Sequence, residues 1–130
     1  MSAVIKTIKL DFTTLDFHKN YVISVVNEDA VFSHTQFMEV AKKCKEFFSE
    51  KRFVYISKRK NNYNVDPTVY LKLEEIRKNL IGIAIVSNKV SSINMAEFEK
   101  TFSKVNFKIS LELEEAIEWA KEVLNKKVGL

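Results

Sequence analysis

Two glycines in 130 residues, Gly82 and Gly129, leave this chain without the means for a glycine-rich phosphate loop or a nucleophile elbow. Both motifs need small residues at several adjacent positions, for sharp turns and close backbone approach. One cysteine, Cys44, excludes an intrachain disulfide and offers no metal spacing. The two histidines, His18 and His34, are far apart, and neither has a second ligand at metal spacing. No apolar run approaches the roughly 18 residues of a membrane span. The opening MSAVIKTIKLDF alternates and carries charge where a signal peptide would be continuously apolar, so a cytoplasmic location is expected.

What is present is an ordinary globular composition, 46% hydrophobic and 29% charged. A chain of this length forms one domain, 1–130, and buries roughly two-thirds of its unfolded surface. The net charge of +4 comes from lysines spread along the whole chain. That excess does not demand nucleic acid or an anionic membrane as partner.

Hydrophobic rhythm divides the chain. Residues 4–12 alternate with period two, Ile8, Leu10 and Phe12 facing one way, and Thr13 and Thr14 continue the strand poorly. A second extended stretch, 15–28, is strongest over 21–26 and can be split by a turn at Lys19-Asn20, the neighbourhood of His18. Ser33 and Gln36 form a candidate capping box before a helix with Phe37, Val40, Ala41, Cys44, Phe47 and Phe48 on its apolar stripe. Cys44 is read there as a small core residue rather than a nucleophile.

Residues 53–57, FVYIS, read as a buried strand, and Asp66-Pro67 as a helix start over 68–78. Residues 80–86, LIGIAIV, read as a central strand in which Gly82 marks close packing. A helix is expected over 91–103, capped through Asn94 and Glu97, with Ile93, Met95, Phe98 and Phe102 as its apolar stripe. A short strand follows at 107–109. Ser110 is expected to cap a final helix. Its early Glu112, Glu114 and Glu115, and its late Lys121, Lys126 and Lys127, suit the helix dipole, and Leu113, Ile117, Ala120 and Leu124 point inward beside Trp119.

Alternating strands and helices after an antiparallel opening predict an α/β fold. Its sheet is mixed but mainly parallel, with about four helices. In such a sheet the outgoing loops share one rim, where ligands bind. Loops 27–33, 58–65 and 88–92 are expected to converge there. They bring Lys58, Arg59, Asn61, Asn62, Tyr63 and Asn88 together as donors, with His34 at the first helix start. This chemistry suits an anion or a polar head group. The alternative is a solvated loop whose asparagines bond their own backbone. Aromatics beside basic residues also admit single-stranded nucleic acid, but Phe53 is read as core and the pattern is weak.

Three stretches carry a family likeness. KRFVYISKRKNNYNVDP, IGIAIVSN and FKISLELEEAIEWAKEVL resemble the SpoIIAA-like branch of STAS-related proteins, many of them uncharacterised bacterial chains, and particularly those of the Bacteroidetes group. The likeness reaches from residue 51 to 124; the first 50 residues match mainly in element order. It implies a single STAS-like domain acting as a non-catalytic regulatory or ligand-binding module. The partner would be a protein or a small anionic or lipidic ligand, and no cofactor is implied. A small enzyme of unknown reaction is the alternative. In the family's anti-sigma-factor antagonists a hydroxyl at the second helix start, in an Asp-Ser-Ser-Gly-like run, is phosphorylated. Here the run is Asn64-Val65-Asp66-Pro67-Thr68-Val69, and Asp66 would repel a phosphate on Thr68. Thr68 is therefore read as an ordinary first-turn residue.

Overall fold

The computed structural model describes residues 4–59, 64–65, 79–103 and 105–126. Its main sheet has six strands in the order β1(Lys6–Lys9), β2(Thr13–Phe17), β3(Tyr21–Val26), β5(Phe53–Lys58), β7(Leu80–Val86), β8(Asn106–Ser110). β1, β2 and β3 form an antiparallel meander. From β3 onward every pairing is parallel: β3 with β5, β5 with β7, β7 with β8. The direction of residues 53–57 and 80–86 is thus the expected one.

Two short strands stand apart, β4(Val31–Phe32) and β6(Asn64–Val65), paired parallel. They tie the loop after β3 to the loop after β5, two of the three loops expected to converge. Three helices occur among the described residues: α1(His34–Phe48), α2(Val90–Lys100) and α3(Leu113–Lys126). The helix expected over 68–78 lies outside the described residues, as do Asn61, Asn62, Tyr63 and Thr68.

Alternation along the strands builds two cores. One face carries Val22, Phe53, Ile83 and Ile85 against Phe37, Val40 and Cys44 of α1 and Ala96 of α2. The other carries Val54, Ile56, Ala84 and Val86 against Ala116, Ile117 and Ala120 of α3. Phe48 stacks on Phe53 with ring centroids 4.4 Å apart, locking α1 onto β5.

Several local expectations are corrected. Thr13 and Thr14 open β2 instead of ending a strand. The Thr13 hydroxyl is buried, 2.8 Å from Ser24 Oγ, and lies 2.9 Å from Val25 O, to which it donates, so its polarity is satisfied inside the sheet. At α1, Gln36 Oε1 accepts from both the backbone N–H and the hydroxyl of Ser33, as the capping spacing implied. α2 begins at Val90 after Lys89, so Asn94 and Glu97 are exposed mid-helix residues and not caps. Ser110 ends β8 and does not cap α3. The Glu112 backbone N–H instead bonds Glu115 Oε1 at 3.3 Å.

Candidate functional site

The parallel strands deliver their outgoing ends to one rim, and a cleft of about 460 Å³ opens there. Lys58 at the end of β5 forms one wall. Ser87, Asn88 and Lys89, between β7 and α2, form the second. Leu111 to Glu114, where β8 passes into α3, form the third. A helix start carries backbone N–H groups without intrahelical partners, a positive end for the cleft.

The lining is mixed in charge. Lys58 and Lys89 are set against Glu112 and Glu114, and among the described residues none of the four side chains is in an ion pair. Asn88 and Lys89 are exposed, while Val86, Leu111 and Leu113 supply apolar surface between them. The site can thus hold an anionic group near the lysines and Asn88. It has acceptors for a donor group opposite, and room for an apolar body.

The sequence-predicted donors separate here. Lys58 and Asn88 do come together in the cleft. Arg59 borders it, but its guanidinium turns to the opposite face of the sheet, where it is 4% exposed and committed to Glu99 of α2. Nη1 donates to Glu99 Oε2 at 2.7 Å and Nη2 to Oε1 at 2.6 Å. A buried fork of this kind is a structural tie, so Arg59 is corrected from an open donor to an anchor. Alternation explains the turn: consecutive strand residues face opposite ways, so Lys58 and Arg59 cannot share a face.

His34 is half-buried at the start of α1, against the other core, and is not part of the cleft lining. His18 is buried in the β2–β3 turn, stacked on Tyr21 at 4.4 Å. Cys44 is buried in the core, and desolvation raises its thiol from the ordinary 9.0 to about 12. The third wall, Leu111 to Glu114, was not among the expected loops. A signal for it existed: the strand at 107–109 is also parallel, so its exit had to reach the same rim.

No helix among the described residues is long and apolar enough to cross a membrane. No family model matches the chain, and no curated protein matches it. Among solved structures it is similar to an uncharacterised protein of the DUF3478 family with a SpoIIAA-like fold, from Shewanella loihica PV-4. The TM-score is 0.62 at 12% identity, covering 88% of this chain and 98% of that one. At that identity the likeness is one of fold, not of activity. An antiparallel opening that passes into a parallel sheet, with helices on both faces, gives this chain a SpoIIAA-like α/β fold.

Proposed function

We propose that this chain is a small non-catalytic binding module that takes an anionic small molecule in the cleft at the ends of β5, β7 and β8. The observation that carries this reading is the meeting of Lys58, Asn88 and Lys89 with the start of α3 around one 460 Å³ space. An acidic head group would sit by the lysines and Asn88. A donor or cationic group on the same molecule would meet Glu112 and Glu114, and a short apolar portion would lie on Val86, Leu111 and Leu113. A ligand bearing only negative charge would face repulsion from the two glutamates, so the reading favours a molecule of mixed character.

Thermal denaturation across a panel of phosphorylated metabolites, nucleotides, amino-acid derivatives and acyl phosphates tests it. A ligand at about 100 times its Kd should stabilise the fold by about 2.7 kcal/mol. Lys58→Ala and Asn88→Ala should each remove that stabilisation while leaving the ligand-free melting temperature unchanged. The compound should be recovered chemically intact. A panel without any stabilising member, stabilisation that survives Lys58→Ala, or turnover of the compound would overturn the reading.

A further inference from the structure

A second concavity, of about 400 Å³, runs between the flank of α3 and the edge strand β8. Its surface is mainly apolar, supplied by the half-buried indole of Trp119 and the stem of Lys108. The far edge of the indole is seated over Gly82, which has no Cβ to displace it. Around the rest of the ring stand Glu114, Glu115, Glu118 and Glu122, all exposed. Glu115 precedes Trp119 by about one turn and Glu122 follows it by about one, so the two bracket the indole at positions about 10 Å apart along the helix.

Helix electrostatics accounts for only part of this acidity. Glu114 and Glu115 belong to the first turn, where the dipole favours them, and Glu115 also accepts the Glu112 backbone N–H at 3.3 Å. Glu118 and Glu122 lie beyond the first turn, where that effect has faded. Glu118 touches Lys121 at 3.8 Å, an exposed contact of small worth. Among the described residues the groove lining holds four carboxylates against the one ammonium of Lys108, on a chain whose net charge is +4.

We propose that this groove docks an extended basic peptide segment of another protein, with an arginine laid on the exposed part of the Trp119 indole. A guanidinium is drawn to an indole face and matches carboxylates in the plane of its fork. In an extended peptide, alternate side chains on one side stand about 7 Å apart. Basic side chains on either side of the central arginine therefore reach Glu115 and Glu122. Nucleic acid and anionic membrane are repelled by the same four carboxylates, and a single small cation meets only some of them. The groove shares only Glu114 with the cleft at the strand ends, so its occupant does not depend on what the cleft takes.

Trp119 is the sole tryptophan of the chain, so its fluorescence reads the groove directly. The probe is a blocked heptapeptide of alternating arginine and alanine, titrated into the full chain. It should change the emission saturably below about 1 mM, and the affinity should fall as salt rises. The double substitution Glu118→Lys with Glu122→Lys should weaken binding at least about tenfold with an unchanged circular dichroism spectrum, since both side chains are exposed. Calorimetry should show a comparable loss for Trp119→Leu. An emission that never responds overturns the proposal, as does a response that survives the double charge reversal. Equal affinity for the matching glutamate–alanine peptide, or for spermine at the same concentration, overturns it too, the last by making the ligand a small polyamine.

Discussion

A Cβ placed on Gly82 would stand 3.0 Å from Trp119 Cη2 and 3.6 Å from Val54 Cγ2. The close packing expected at this glycine is therefore real, and the residue that demands it is an indole on α3. Gly82→Ala should lower stability by about 1 kcal/mol, the clash outweighing the usual gain from replacing a strand glycine. Chemical denaturation checks it, and Trp119→Leu in the same chain should shrink the loss. Ser49 offers the opposite case. It closes α1 with φ of 56° and ψ of −115°, a region where a side chain is strained. Ser49→Gly should raise the denaturation midpoint, by about 1 kcal/mol in stability. Cys44 gives a pH prediction. Its folded pKa lies above its unfolded one, so its contribution is complete below about 9 and lost as pH rises towards about 12. The native thiol should resist alkylation at pH 8 and react only at the rate of unfolding, as thiol-labelling kinetics would show. At this scale the sequence marked Gly82 and Cys44 through their places in apolar runs. It did not reveal Thr13, because a hydroxyl reads as a strand end unless its partner Ser24 is known.

Helices show where periodicity succeeds and where it misleads. α1 was legible because each of its apolar residues at three- and four-residue spacing had a sheet to face. α2 was misread for the same reason inverted. Of Ile93, Met95, Phe98 and Phe102, Ile93 is half-buried and Phe102 packs against the core, but Met95 and Phe98 are exposed and the helix buries Glu99, which Arg59 holds across 40 residues of sequence. Removing either partner leaves a buried charge alone. Glu99→Leu or Arg59→Met should therefore cost about 3–5 kcal/mol, and the double substitution much less than the sum. Urea denaturation of the four variants gives the coupling, and a near-additive result would refute the tie. Arg59→Ala is accordingly a poor probe of the cleft, since it would unsettle α2 as well. The start of α3 was misplaced because Ser110 has the composition of a cap, while the preceding strand holds it in register with Val86.

Across the whole molecule, stability should fall from the centre of the sheet to its antiparallel edge. β5 and β7 are covered on both faces, whereas β1 exposes Lys6, Thr7 and Lys9 and half-buries Ile8. Native-state hydrogen exchange should find amides of β5 and β7 slowest and those of β1 fastest by orders of magnitude; equal protection in β1 would contradict the layered arrangement. The rim itself was legible, since alternating strands and helices oblige parallel strands to release their chains at one edge. Lys58 and Asn88 do meet there.

The sequence by itself determined the main-sheet strands from β3 onward, the presence of the first and last helices, and the shared direction of the parallel strands, and hence the rim at which their outgoing ends gather. Periodicity suffices for these because each depends on which residues along a short segment must leave water. Only the tertiary structure decided that Arg59 turns away from the cleft, that Glu99 rather than Phe98 is buried in α2, and that the β8–α3 junction closes the third wall. Those outcomes depend on pairings between residues distant in the chain, and a buried charge finds its place by its partner rather than by its own polarity.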